Sequence, residues 1–164
     1  MRVAIALPVV LILLITSRCS RDQQNPYHYF ASLQQFRLNA MSATANYTAR
    51  RKAERNTPEE EHLKKEMIAL LLQTEDSVRN YAFAKDDFGL KNAILHEFSY
   101  SRKLLTDTQF WARSRDTALS IEERVKALDT ISVELDRNTR QINQQILKSQ
   151  LAFARFYRIP VTTP

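Results

Sequence analysis

Few side chains in this sequence have types and spacings that suggest chemistry. His28, His62 and His96 lie far apart along the chain. Glu59 and His62 have the Glu-x-x-His spacing of di-iron helical bundles, but such a centre needs a second Glu-x-x-His motif and further glutamates. His96 is followed by Glu97 and does not supply that second motif. The preferred interpretation is that these histidines are surface residues and not metal ligands.

A divalent cation site is a second hypothesis. The run Asp86-Asp87-Phe88-Gly89 has the wrong order for an EF-hand loop, which needs alternating acidic ligands and a central glycine. The scattered carboxylates that remain as candidate ligands are Asp116, Glu122, Glu123 and Asp129. These acids also suit helix N-termini, where they interact favourably with the helix dipole, and that explanation is preferred. The metal ligands therefore stay undefined, and no cofactor beyond an optional divalent cation is predicted.

The sequence predicts no catalytic residue and no cofactor-binding residue. It contains no serine-nucleophile motif, Walker loop or zincin helix. The chain is therefore predicted not to be an enzyme, with an enzyme of unrecognised type as an alternative. Aromatic residues could line an apolar pocket between helices, although a solid core explains them as well: Phe88, Phe98, Phe110, Trp111, Phe153 and Phe156.

The scarcity of glycine decides the fold class. The chain has 164 residues and one glycine, with 44% hydrophobic and 26% charged residues. Hairpins and phosphate-binding loops rely on positive φ angles that glycine adopts easily, whereas the abundant Leu, Ala, Lys, Arg, Glu and Gln favour helices. The sequence therefore predicts an all-α fold, a small bundle of about five or six amphipathic helices in one domain after an N-terminal signal segment.

The N-terminus has the pattern of a secretory signal peptide. Arg2 precedes an apolar run, Val3 to Ile15, and Arg18 follows it. A helix of this length covers about 20 Å, less than the hydrocarbon core of about 30 Å. Cleavage after Cys19 is predicted, with an uncleaved anchor or a lipid-modified Cys19 as alternatives. The predicted division is a signal peptide (1–19), a polar leader (20–26), a helical domain (27–159) and a tail (160–164).

Cleavage would remove the only cysteine, so the mature chain would have no disulfide and no thiol. It would also remove Arg2 and Arg18, which leaves 22 basic against 18 acidic residues and lowers the net charge from +6 to +4. Asn46-Tyr47-Thr48 is an N-glycosylation sequon, which predicts a glycan on Asn46 in a eukaryotic secretory route. The short basic run 50–55 lacks interleaved aromatic residues, so no nucleic-acid partner is expected.

The clearest of the predicted capping boxes mark two helix starts, Thr57-Pro58-Glu59-Glu60 and Ser120-Ile121-Glu122-Glu123. In such a box the hydroxyl accepts a hydrogen bond from the third helical amide, and the glutamate accepts one from the cap amide. The second box precedes an apolar repeat that predicts a buried stripe, followed by a turn or kink at 136–138. The members of this stripe are Ile121, Val125, Leu128, Ile131 and Leu135.

The other helices follow from the same periodicity. A first helix is predicted over 27–50. The second helix starts at the Thr57 box, and one option is that it is interrupted at 74–76. A third helix is predicted to begin at Asp86 or Asp87, and a fourth at a capping box over 106–109. Their predicted apolar faces are Phe30, Leu33, Leu38 and Met41; then Leu63, Met67, Leu70 and Leu71; then Phe88, Ile94, Phe98 and Leu105; and, in the last helix, Ile142, Ile146, Phe153, Phe156 and Tyr157.

The segment around the second box also carries a family resemblance. It reads Asp116-Thr117-Ala118-Leu119-Ser120-Ile121-Glu122-Glu123-Arg124. With the signal segment and the cysteine-poor helical body, it resembles the D-x-x-L-[ST]-x-x-E-[KR] element of the nematode SXP/RAL-2 family, secreted helical proteins related to allergens of the Ani s 5 type. The resemblance covers 57–146, and the family's Pro-Pro-Phe-Leu-like start is absent. It implies a secreted helical domain, sometimes described as cation-binding, with no established enzymatic activity and no assigned ligand residues.

The predicted function is a secreted, non-enzymatic helical binding or interaction protein. Its partner would be an unidentified protein, a divalent cation or a small apolar ligand. If the signal segment stays uncleaved, the alternative is a membrane-anchored protein whose helices form an interaction domain outside the cytoplasm.

Overall fold

A computed structural model of the protein describes residues 25–53 and 57–160, and all regular structure in these ranges is helical. The helices are α1 (Pro26–Ala53), α2 (Pro58–Asn80), α3 (Leu90–Thr106), α4 (Thr108–Arg115) and α5 (Ile121–Tyr157). The predicted all-α bundle is therefore confirmed. The signal segment, most of the polar leader and residues 161–164 lie outside the described residues.

Helix α1 buries a different face from the one that the sequence predicts. Leu33 is fully buried as expected, but Leu38 and Met41 are 58% and 49% exposed, and Tyr29 and Ala40 are buried in their place. Tyr29 stacks on Phe83 with 4.2 Å between ring centroids. This aromatic packing fixes the rotation of α1 about its axis, because a ring of this size buries more apolar area than the side chains left outside.

Helix α2 starts where predicted but is capped differently and is not interrupted at 74–76. Thr57 is its N-cap residue, but the Thr57 side chain makes no capping hydrogen bond. The Glu60 carboxylate accepts a hydrogen bond from Arg51 Nε at 2.7 Å. This pairing competes with the hydrogen bond that the carboxylate would otherwise accept from the Thr57 amide in a capping box. Leu63, Met67 and Leu71 are buried as predicted, whereas Leu70 is 39% exposed.

The start of α3 depends on the single glycine. Gly89 is the N-cap residue with φ of +74°, and the helix begins at Leu90 instead of Asp86 or Asp87. The Asp87 carboxylate accepts hydrogen bonds from the amides of Gly89 and Lys91 at 2.9 and 3.1 Å. The aspartate therefore supports the helix start from outside the helix, as a local side-chain acceptor. Ile94 and Phe98 are buried as predicted.

Helix α4 follows α3 after one residue. Asp107, and not Thr106, is its N-cap residue, and the Asp107 side chain accepts from the Phe110 amide at 3.1 Å. Thr106 remains in α3, where its hydroxyl donates to the Arg102 carbonyl. None of the eight residues of α4 is buried.

Helix α5 has 37 residues and confirms the Ser120 capping box. The predicted turn at 136–138 is wrong, since the helix continues to Tyr157, and Arg140 pairs with Asp136 one helical turn away at 2.6 Å. The predicted stripe is buried only at Ile131 and half-buried at Leu135. Its remaining members and the predicted core residue Phe156 are exposed: Ile121 73%, Val125 50%, Leu128 46% and Phe156 66%.

The helices pack with α3 at the centre, against α1, α2 and α5, while α4 packs against α5. The main core joins Tyr29, Leu33, Leu71, Phe98 and Phe153. Polar contacts also cross between helices, among them Arg37 to Glu97 at 2.7 Å, Arg102 to the buried Glu75 at 3.0 Å, and Gln150 to Gln34 at 2.8 Å. Among the described helices, none is long and apolar enough to cross a membrane.

Candidate ligand pocket

A pocket of about 420 Å³ lies where the end of α1, the start of α2, the end of α3 and α4 meet. Its apolar lining consists of Met67, Leu71, Leu104, Leu105 and Trp111. Ligand sites in proteins are typically concave, mostly apolar and about 300–1,000 Å³ in volume. This space, called here the Trp111 pocket, therefore has the size of a small-molecule site, with a lining that combines these apolar residues with polar and charged ones.

Trp111 is held in place by one contact to α3 and one contact within α4. Its indole Nε1 donates a hydrogen bond to the Leu104 carbonyl at 3.0 Å. The Phe110 ring meets the indole edge-to-face, with centroids 5.1 Å apart. Since the only polar atom of the indole is bonded to the protein backbone, the ring itself is an apolar wall of the pocket.

Ion pairs form the rim of the Trp111 pocket. Arg51 and Glu60 join α1 to α2, and Lys64 lies 3.9 Å from Glu61 within α2. The Asp107 carboxylate accepts from the α4 backbone. Arg115 is exposed, and no carboxylate of the described chain forms an ion pair with it. The charged side chains of the rim are therefore paired with one another or bonded to the backbone, except for Arg115.

Tyr47 brings a phenol to the pocket wall from α1. Burial raises the pKa of Tyr47; the Arg51 guanidinium opposes this effect, and the carboxylates of Glu60 and Glu61 add to it. The hydroxyl therefore stays protonated and can donate a hydrogen bond to a bound acceptor near neutral pH.

A shallower groove of about 550 Å³ adjoins the pocket along α1. Thr44, Thr48, Leu71 and Ser101 line both spaces. On α1 the groove surface consists of small residues and Met41: Ala40, Met41, Thr44, Ala45, Thr48 and Ala49. The hydroxyls of Thr44 and Thr48 donate to carbonyls one turn earlier in α1, at 2.8 Å each. The pocket thus continues into a groove whose threonine donors are already bonded within the helix.

The aromatic residues that the sequence singled out do not assemble into one pocket. Trp111 lines the pocket and Phe98 borders the groove. Phe153 is fully buried in the core, and Phe88 contacts Phe156 with centroids 5.1 Å apart. Most of the predicted aromatic set therefore forms packing contacts, and only Trp111 and its neighbour Phe110 belong to the pocket end of the molecule.

The candidate metal ligands are likewise not brought together. Within 25–53 and 57–160, no group of three or more His, Cys, Asp or Glu side chains could hold a metal ion. His62 lies 3.4 Å from Glu66, and His28 and His96 are exposed. Asp116 accepts from the Ala118 amide and Glu123 from Ser120, so these acids serve the start of α5. Their geometry gives no specific support to a cation site.

The sequon residue Asn46 is exposed on α1. Its neighbours Tyr47 and Thr48 line the pocket. A glycan on Asn46 would therefore leave the helix close to the pocket wall and remain compatible with the fold.

Comparisons with known proteins identify no relative: no family model matches the sequence, and no curated protein and no solved structure matches it significantly. The resemblance to the SXP/RAL-2 family stays a prediction.

Sequence reasoning missed the main polar residues of the pocket, Tyr47, Arg51 and Arg115. One signal could have indicated the rim: Arg51 and Glu60 are nine residues apart across the connection between α1 and α2, a separation suited to an ion pair across a helical hairpin. Nothing in the sequence places Trp111 in the same pocket as Tyr47, because that placement depends on the path of α4.

Proposed function

We propose that this chain is a secreted, non-enzymatic binding protein that takes a small amphipathic ligand in the Trp111 pocket. The observation that carries the proposal is the pocket itself, about 420 Å³ with an apolar lining and a charged rim. The N-terminal apolar segment supports the secreted part, because its length suits a signal peptide. A cation is the less favoured ligand, since the described residues gather no ligand set for one.

The chemistry of the rim favours a ligand with an apolar body and an anionic head group. Arg115 is the rim cation without an ion-pair partner in the described chain, and Tyr47 offers a protonated hydroxyl nearby. A carboxylate at the mouth could accept from either group, while its chain lies against Leu104, Leu105 and Trp111. Single-chain carboxylates are therefore the first ligands to test.

Trp111 is the only tryptophan, so its fluorescence reports on this pocket without interference. We expect titration with decanoate or palmitate to shift its emission to the blue and to saturate, because the ligand displaces water from the indole. Decanol, which has the apolar body without the charge, is expected to bind more weakly. Arg115→Gln should remove the difference between decanoate and decanol.

Two serines on α3 provide a matched pair of variants. Ser101 lines the pocket and the groove, so Ser101→Phe fills the space and should weaken binding at least about tenfold, or about 1.4 kcal/mol. Ser99 lies two residues earlier and does not line either space, so Ser99→Phe should bind as the unmodified chain does. The proposal would be contradicted if no ligand changed the Trp111 emission, or if the Ser101→Phe and Ser99→Phe variants bound the ligand equally.

A further inference from the structure

The heptad positions of helix α5 form a seam of which only part is covered. Positions alternately four and three residues apart include Ile121, Val125 and Leu128 at the start of the helix and Ile142, Ile146 and Phe153 near its end; the exposed polar residues Ser132 and Thr139 lie at heptad positions between these two apolar sections. This spacing keeps an apolar stripe facing one partner helix. The later section is buried in the bundle, with Ile146 at 1% and Phe153 at 0% exposure.

The earlier section of the same seam is open to solvent. Ile121, Val125 and Leu128 are 73%, 50% and 46% exposed. Helix α4 packs against α5 but leaves these three side chains uncovered. We call them the open seam. A stripe with this periodicity on a capped helix suits a further helix that would continue the packing found in the later section.

We propose that the open seam pairs with the open seam of a second copy of this chain, in parallel orientation. The flanking charges favour this partner. In a parallel pair, the residue just before a core position meets the residue five places later on the other strand. Arg124 would therefore meet Asp129 of the second copy, and the two-fold symmetry would form this ion pair twice.

The same charges disfavour an antiparallel pair, in which the Glu122 and Asp129 flank of one copy would face the same acidic flank of the other. Within one described chain, neither Arg124 nor Asp129 forms an ion pair.

Sedimentation velocity of the secreted chain over micromolar to millimolar concentrations tests the proposal. We expect a monomer–dimer equilibrium that Val125→Lys weakens at least about tenfold, because it places a charge in the seam. Val133→Lys is the matched control, since Val133 lies on the same helix outside the seam and is 70% exposed. It should leave the equilibrium unchanged.

A charge exchange tests the parallel orientation. Arg124→Asp and Asp129→Arg should each weaken the dimer, because each places like charges opposite one another twice. An equimolar mixture of the two variants should form a heterodimer, since both of its contacts again join opposite charges. A monomer at every concentration, a dimer unaffected by Val125→Lys, or a mixture no stronger than its components would overturn the proposal. A monomer that binds phospholipid vesicles through Val125 would also overturn it and assign the seam to a membrane surface.

Discussion

Replacing Tyr29 with phenylalanine is expected to change how the stability of the bundle depends on alkaline pH. The Tyr29 hydroxyl donates to the Asp87 carboxylate at 3.0 Å, and the side chain is only 1% exposed. Burial, followed by the Asp87 charge, raises the pKa of Tyr29 far above its usual value of about 10. The folded state therefore keeps a proton that the unfolded state releases at high pH.

The magnitude at neutral pH follows from the hydrogen bond. Tyr29→Phe removes a bond to a charged acceptor, which contributes about 1.5–3 kcal/mol. Asp87 keeps the amides of Gly89 and Lys91 as donors, so its carboxylate is not left without partners. We therefore expect the free energy of unfolding at pH 7 to fall by an amount within that range.

The pH dependence has a definite sign. The contribution of a raised pKa is complete below the unfolded value, about pH 10, and is lost as the pH rises toward the folded value. Above about pH 10 the unmodified chain loses about 1.4 kcal/mol per pH unit through Tyr29, whereas the phenylalanine variant does not. The stability difference between the two chains should therefore narrow by about 1.4 kcal/mol between about pH 9 and pH 11.

Urea unfolding followed by far-ultraviolet circular dichroism at several pH values measures this difference directly. Tyr27→Phe is the control, because it removes a hydroxyl from a side chain that is 57% exposed. It should change the free energy of unfolding by no more than about 0.5 kcal/mol. A stability difference between Tyr29→Phe and the unmodified chain that stays constant up to pH 11 would refute the assigned cause.

Two further predictions concern the buried carboxylate and the secretory route. Glu75 is 3% exposed and pairs with Arg102 at 3.0 Å. Arg102→Gln should lower the free energy of unfolding, measured by urea titration, by about 3 kcal/mol. The reason is that this substitution leaves the buried Glu75 carboxylate without its main partner. Arg79→Gln, at a 3.9 Å contact with the same carboxylate, should lower it by less than about 1 kcal/mol. Expression of the full chain in a eukaryotic secretory host should yield a mature N-terminus at Ser20 and a glycosidase-sensitive mass that Asn46→Gln removes. A chain retained with Met1 at its start would contradict the signal-peptide prediction.

The helical fold could be predicted because its signals are local. One glycine, a complete capping box at Ser120 and a repeating apolar stripe all act within a few residues of where they stand. The errors fall where distant contacts compete with those signals. Glu60 pairs with Arg51 instead of completing its box, and Tyr29 turns α1 toward Phe83.

The pocket was less predictable because it lies between segments far apart in the sequence. Trp111 was among the aromatic residues that could line a pocket, but its proximity to Tyr47 depends on the path of α4 after Asp107. Apolar periodicity also cannot tell whether a stripe is covered by the same chain. Val125 and Ile146 therefore belong to one seam by spacing and differ in exposure, 50% against 1%.

The two ends of the molecule differ in a way that connects stability with binding. At one end Tyr29 stacks on Phe83, and Phe153 packs against both rings at a tilt; this aromatic core holds α1 and α5 together. At the other end α4 has no buried residue and is joined to α3 through the Trp111 indole and the Asp107 cap. Segments with few buried contacts open with low free energy and are the ones that adapt to ligands. If a ligand enters the proposed site, we therefore expect α4 to adjust more than the aromatic core at the other end of the bundle.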